Sequence, residues 1–348
     1  MGLKCKSAVL FFISLSLFLF SDPVPSAPKI KEEKGQPEIK GGMVSPALEI
    51  KDGRKVKVEK FVITGNKVIK TTDIEKIVKK YEGKELTISQ LKEVADIITQ
   101  EYWNKGYITS FAYIPAQNIE KGTVEIGIVE GKVGDIEVEG NKYYTTNFIK
   151  KYFESTKKED ALNSKTLERS LLLLNDLPKE YVMATLTKGE VEGTTDIVLN
   201  AKELGFPYNL SIFANNYGSR YTGKIRTGLS FDLGNLTKHG DIFSITGITN
   251  PKDIDDMKYY KLGYTLPLNG YGTQAYVNYS YMDYEVGKEL AIFGIEGEGE
   301  IFTLGVKHPL IRARDKNLSW SAELSKKNMT NFLFEKTFTT SKDEYSVL

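Results

Sequence analysis

From Gly205 onward the chain reads as long runs in which apolar and polar residues alternate, and this period of two constrains the fold more than any other feature. Residues 205–223, GFPYNLSIFANNYGSRYTG, open the pattern. Tyr208, Leu210, Ile212 and Ala214 fall on one face of a strand, and Asn209, Ser211, Phe213 and Asn215 on the other. A turn over 215–220 leads into a second alternating run at 223–233, and runs at 241–249, 258–266, 273–284, 301–310 and 318–326 follow. That makes about seven strands, several reaching the roughly nine to eleven residues a tilted membrane strand needs. Alternation alone also fits a soluble sandwich. The 20 tyrosines and 30 glycines, concentrated after Gly205, favour a tyrosine-banded, turn-rich membrane barrel. The glycines of the stretch 294–299 (GIEGEG) are expected in a turn between strands, with no following helix to make a phosphate loop.

The N-terminus reads as an address. Lys4 and Lys6 precede a thirteen-residue apolar run from Ala8 to Phe20, and small residues follow at Pro25-Ser26-Ala27. This order predicts a secretory signal peptide over residues 1–27, too short to span a bilayer as a helix. Cys5 lies before the apolar run and is the only cysteine, which excludes a disulfide framework and a cysteine metal site. His239 and His308 are the only histidines, too few for a typical zinc or histidine-based catalytic cluster, so neither a metal nor a cofactor is expected. The net charge of +1, with Lys and Glu interspersed, argues against nucleic acid as a partner. No Gly-x-x-x-x-Gly-Lys-Ser/Thr stands for a nucleotide, no Gly-x-Ser-x-Gly for a hydrolase, and no catalytic residue is nominated.

Between these ends lie an extended lead-in over 28–55 and two tandem units. In the first, 56–131, a strand at 56–64 ends at Gly65-Asn66. Thr71-Thr72-Asp73 then cap a helix, Ser89 is expected to cap a longer one stopped by Gly106, and strands at 107–114 and 123–130 close the unit. The second unit, 132–204, repeats the order. A strand ends at Gly140-Asn141, Thr145-Thr146 and Ser164 begin two helices, and strands at 182–188 and 194–201 finish it. Each is a βααββ module of about 75 residues.

These residues resemble the two-partner secretion transporters, the hemolysin secretion/activation (TpsB; ShlB/FhaC/HecB) family within the superfamily of POTRA-bearing outer-membrane barrels. The two βααββ units match POTRA modules, including the opening Phe61, Gly65 and Asn66. The most specific block is Asn216, Tyr217, Gly218, Ser219, Arg220, Tyr221, Thr222 and Gly223, which is similar to the family's first barrel hairpin. The implied fold is α+β tandem POTRA modules followed by an antiparallel transmembrane β-barrel, 205–348. The family's barrel has roughly sixteen strands, an even number as single-chain bacterial barrels require, so only about its first half is encoded here. The superfamily's Val-Arg-Gly-Tyr/Phe loop is not found, and the lead-in has no long helical stripe for a plug.

The resemblance implies export without chemistry of a large secreted partner protein through the outer-membrane lipid, with the POTRA modules in the periplasm. An extended client would add as a strand to a POTRA edge. The residues nominated for that contact are Ile108, Phe111, Tyr113 and Ile114 in the first unit, with Leu171 and Leu174 as groove walls in the second. The alternative for each is ordinary core packing. A barrel-assembly factor of the same superfamily is the runner-up function, and a soluble periplasmic binding module a further rival. Arg220 is expected to be a loop charge in water, or else a contact to lipid or client.

Overall fold

The computed structural model describes Ile39–Lys40 and residues 55–347, apart from 120 and 335. The expected signal peptide and most of the lead-in lie outside the described residues. Within the lead-in, β1 (Ile39–Lys40) is a two-residue strand. The first module begins with β2 (Lys55–Lys57) and β3 (Lys60–Thr64), followed by helix α1 (Thr71–Val78), β4 (Glu85–Thr87) and helix α2 (Ile88–Asn104). It closes with β5 (Phe111–Tyr113) and β6 (Thr123–Val129). The sheet order is β3-β6-β5, and β2 pairs separately with β4. Leu91, Val94, Ile98 and Tyr102 on one face of α2 pack with Phe61, Ile74, Val124 and Ile126 into a closed core.

Two local expectations shift. The cap of α2 is Thr87, not Ser89: its hydroxyl accepts from the Gln90 amide while the Gln90 side chain accepts from the Thr87 amide, a reciprocal capping box. The strand expected over 107–114 shrinks to three residues. The Tyr107 amide turns back to the Tyr102 carbonyl and the Ser110 amide to the Tyr107 carbonyl, so residues 107–110 form a turn.

The second module runs β7 (Lys132–Glu139), α3 (Thr146–Lys151), α4 (Glu154–Lys157), α5 (Ser164–Asn175), β8 (Val182–Lys188) and β9 (Thr194–Ala201), with sheet order β1-β8-β9-β7. Asn163, not Ser164, caps α5 by accepting from the Lys165 amide. Leu167, Leu171 and Leu174 on α5 are completely buried against Ile197 and Leu199 of the sheet.

One junction recurs in both modules. Gly65 and Gly140 take left-handed φ values of 88° and 78°, and a Cβ on either would lie 2.2 Å from the Ile128 carbonyl oxygen or 2.5 Å from that of Ala201. Only glycine fits there. The next residue turns its amide inward: Asn66 donates to the Ile69 carbonyl at 2.8 Å and Asn141 to that of Tyr144 at 2.8 Å. A carboxylate from the end of the sheet then takes the following amides. Glu130 accepts from Lys67 and Val68, and Glu203 from Tyr143 and Tyr144. The Gly-Asn repeat seen in the sequence is therefore a repeated loop clamp.

After Gly205 come β10 (Tyr208–Asn215), β11 (Arg226–Gly234), β12 (Ile242–Thr249), β13 (Met257–Pro267), β14 (Gln274–Glu285), β15 (Glu296–Arg312), β16 (Asn317–Leu333) and β17 (Phe338–Val347). They form one antiparallel sheet in chain order, eight strands instead of about seven. Gly297 and Gly299 are not in a turn. They belong to β15, paired with Tyr284 and Met282 of β14. Among the described residues, the outer edges of β10 and β17 have no strand neighbour.

Register sorts the two faces. Leu210, Phe231, Ile245, Leu262, Tyr279 and Phe302 stand directly opposite one another across six strands. Most of them are exposed, which for side chains of this size suits a face toward lipid. The adjacent row on the other face is Asn209, Asp232, Ser244, Gly263, Asn278, Thr303 and Ser325. It is laced by hydrogen bonds from Ser244 to Asp232 (2.6 Å) and between Thr303 and Ser325 (2.9 Å). On this polar face aromatic rings lie over glycines of the neighbouring strand: Phe213 over Gly228, Tyr276 over Gly305 and Tyr284 over Gly297, where an added Cβ would meet ring atoms at 2.3–2.4 Å.

Candidate functional site

The second module is fastened to the end of the sheet that carries the turns 235–241, 268–273 and 313–316. The Arg312 guanidinium donates two hydrogen bonds of 2.8 Å to Asp176, a forked pairing that its planar geometry favours. Arg314 pairs with Glu168. Arg169 donates to the carbonyl of Pro309 at 2.6 Å and to that of Tyr271 at 3.3 Å. The Asn235 amide reaches the Tyr143 carbonyl at 2.7 Å. Gly270 comes so near the end of α3 that a Cβ would sit 2.0 Å from the Lys151 carbonyl oxygen. Phe148, Lys151 and Tyr152 share a cleft with Thr237, His239 and Tyr264 at this junction.

Asp241 organises the turn beneath. It is fully buried. Burial alone would raise its pKa, but the hydroxyl and amide of Thr237 and the hydroxyl of Tyr264 donate to it and hold it below the ordinary carboxylate value.

The first module is joined to the second. The Ser164 amide donates to the Gly106 carbonyl (2.8 Å), the Leu162 amide to the Gly131 carbonyl (2.7 Å), and the Asn163 side chain to the Lys105 carbonyl (3.4 Å). Ile108 packs on the second module's core, so this nominated contact residue is part of the joint between modules. Ile114 packs on the first module's own core. Leu171 and Leu174 have no exposed surface and do not form groove walls; the leucine stripe of α5 is spent on its own sheet.

Phe111 and Tyr113 do reach the surface. Tyr113 is 41% exposed, and the two rings lie 6.2 Å apart on β5. The backbone beside them is less available than the sequence implied. The amide of Ala112 donates to the Thr99 hydroxyl (2.9 Å), and the Trp103 indole donates to the Ser110 carbonyl (3.0 Å), so side chains of α2 take the groups an incoming strand would need. This covering was hidden in the sequence because Thr99 and Trp103 sit where a helix normally shows only packing residues.

At the far end of the sheet, the block 216–223 forms the β10–β11 loop. The Ser219 hydroxyl accepts from the amides of Tyr221 and Thr222 and pairs with the Thr222 hydroxyl (2.9 Å), while the Gly218 amide donates to the Lys224 carbonyl. Asn216 and Gly223 flank this knot, Gly223 with φ at 87°. Arg220 lies 5.1 Å from the centre of the Tyr221 ring and ion-pairs with Glu289 of the loop after β14. The motif thus ties one far-end loop to another.

Among the described residues no group of three or more metal-binding side chains converges, and no helix is long and apolar enough to cross a membrane, which leaves strands free to do so.

Comparison with known proteins agrees with this geometry. Residues 56–131 match the POTRA domain of ShlB type, and residues 193–348 match the haemolysin secretion/activation protein family ShlB/FhaC/HecB. The heme/hemopexin transporter protein HuxB of Haemophilus influenzae (strain 86-028NP) is 25% identical over 92% of this chain. The outer membrane transporter CdiB of Escherichia coli is 25% identical over 85% of it. The chain spans 59% and 49% of the lengths of these two relatives. Among solved structures, CdiB from Escherichia coli superposes with a TM-score of 0.71 at 23% identity, covering 87% of this chain and 56% of that one. CdiB from Acinetobacter baumannii gives 0.59 at 17% identity, covering 98% and 65%. These likenesses establish the fold: POTRA architecture followed by the sheet of an antiparallel outer-membrane barrel.

Proposed function

We propose, from the premise that the chain is of the ShlB/FhaC/HecB haemolysin secretion/activation type, that it serves two-partner secretion of a large protein across the outer membrane. The sheet lies in the bilayer as part of a β-barrel pore and the modules stand in the periplasm. Relatives named as a heme/hemopexin transporter protein and as outer membrane transporters fit the same role. The observation that carries the reading is the pairing of a polar, hydrogen-bonded sheet face with a module clamped at its near end by Arg169, Arg312 and Arg314. A client held in extended form by the modules is thereby delivered to a hydrophilic surface. Its secretion signal would meet the modules first, with half-buried Phe111 and exposed Tyr113 as an aromatic contact. No residue is assigned a catalytic role, and the drive comes from folding of the client outside.

The test is co-expression with a candidate secreted partner protein. The intact transporter should place that partner in the medium. Phe111→Asp together with Tyr113→Asp should cut the amount by about thirtyfold, as expected when two interface anchors of ~1 kcal/mol each are lost. Secretion unchanged by the double variant would remove these two residues from the contact. An outer-membrane proteome depleted of other barrels in a deletion strain, with the partner still secreted, would favour the assembly-factor role.

A further inference from the structure

We propose, on the reading that the sheet lies in the bilayer, that the cleft between the end of α3 and the near end of the sheet is a head-group site for one anionic glycerophospholipid of the membrane. The cleft encloses about 370 Å³, within the roughly 300–1,000 Å³ of sites that hold small molecules. Its two walls have different origins. Phe148, Lys151 and Tyr152 come from α3 and its cap, while Tyr264, Leu266 and Leu268 come from β13 and the turn after it. Tyr264 and Leu266 follow Leu262 at steps of two, so they carry the apolar face of the sheet down to the turn. Register agrees, since Tyr264 stands between Phe243 and Val277, and Leu266 stands opposite Ala275. The strand wall of the cleft is therefore continuous with the surface that faces lipid. An acyl chain leaving the cleft would run along Leu266 toward Leu262.

The level in the sheet is that of a membrane surface. The Leu268 amide donates to the Thr273 carbonyl, the Thr273 hydroxyl bonds the His308 ring at 2.9 Å, and His308 stands opposite Trp320. Trp320 shares the apolar face with Leu324, four residues on, and tryptophan collects where a bilayer meets water. Charge then selects the head group. No aspartate or glutamate lines the cleft. Lys151 forms no ion pair among the described residues, and Lys238 stands exposed between the lining residues Thr237 and His239. The Asp241 carboxylate is already spent on Thr237 and Tyr264. A phosphodiester would meet ammonium groups with no competing acid, whereas a head group carrying its own cation would find like charge and no carboxylate to offset it.

Native mass spectrometry of the full chain reads this site without reference to secretion. The chain is released from detergent micelles that hold equal amounts of phosphatidylglycerol and phosphatidylcholine of one chain length. One phosphatidylglycerol per chain should be retained in preference to phosphatidylcholine. Lys151→Gln, at an exposed position, should lower that retention by about tenfold through loss of a charge-assisted contact. Lys150→Gln removes a neighbouring exposed charge outside the cleft and should change nothing. Equal retention of the two lipids, or equal losses in the two variants, overturns the site. Displacement of the lipid by millimolar inorganic phosphate would make it a site for free phosphate and overturns the lipid. The membrane reading is checked separately in vesicles with brominated acyl chains, where Trp320 fluorescence, taken as the difference from Trp320→Phe, should be quenched. Quenching without lipid selectivity sinks the cleft alone; absence of quenching sinks the membrane reading beneath it.

Discussion

The two modules share a loop clamp and a βααββ order, yet they are held at opposite extremes of restraint. The second is bolted to the sheet through the outer face of α5 and the end of α3, and its β8 edge carries a strand from the lead-in. The first is joined to its neighbour through backbone contacts near Gly106 and Gly131, the Asn163 side chain and the packing of Ile108, and its β5 edge is covered by side chains from its own helix. A common fold has been given two jobs by what was added around it. One is a mount, fastened to the sheet; the other is joined to its neighbour at the contact around Ile108.

The shared clamp offers the strongest way to break this comparison. Gly65→Val and Gly140→Val each force a β-branched residue into left-handed backbone against a carbonyl, a strain of about 1–3 kcal/mol before the steric clash is counted. Proteolysis should then release the first module alone for Gly65→Val. For Gly140→Val the damage should spread to the turns of the sheet, because the second module is the mount. Next in size, Glu130→Ala and Glu203→Ala each strand two loop amides, at about 1.5–3 kcal/mol for charge-assisted bonds. Urea unfolding followed by module-specific fluorescence should show the larger loss for Glu130→Ala, which also strands the buried Tyr102 hydroxyl, and a wider reach for Glu203→Ala. Arg312→Ala should cost about 1 kcal/mol or less, since the pair with Asp176 is partly exposed. Its effect should shrink in an Asp176→Ala background to what the bonds to the Ala313 carbonyl and Asn317 contribute, and no change should appear in the first module. The smallest effect is that of acid on Asp241. Its folded pKa is depressed, so its stabilising contribution is complete above the ordinary carboxylate pKa of about 3.9 and is lost as pH falls through the lower folded value. Thermal melts at falling pH should lose less stability in Asp241→Asn than in the intact chain; equal losses would exclude this group as the cause.

Much of the sheet was legible because its strands face two different solvents, and a period of two is what that demands. The parts that escaped lie where the contrast fades. Residues 296–300 put glycines on one face and glutamates on the other, so β15 looked like a turn at its start. The later half of β16 and all of β17 lack an apolar row beyond Leu324, which hid the eighth strand. In the modules, helices and the Gly-Asn loops followed from local chemistry. The three-residue length of β5 did not, because it depends on where Tyr107 and Ser110 send their amides. The proposed contacts fared by the same logic. Phe111 and Tyr113, named beside core packing as the alternative, keep surface because β5 is an edge strand, whereas the burial of Leu171 and Leu174 is set by a sheet formed in part from residues later in the chain. The mount itself left no trace in the sequence. Arg312 and Asp176 are 136 positions apart, and no period relates them. A two-residue strand such as β1 is shorter than any repeat that could announce it.

The rings lying over glycines give the sheet a mechanical property. Tyr276 and Tyr284 both project from β14, and each meets bare backbone on β15, at Gly305 and Gly297. They act as two detents on one sliding joint. Moving β14 by a single step of two residues would bring Tyr276 against Thr303 or Lys307 in place of Gly305, so neither ring can leave its notch without the other. A polypeptide dragged along this surface would pull on strands that cannot creep past one another. The load would pass to the loops at either end, and there the Ser219 knot at one end and the Arg312 fork at the other are positioned to bear it.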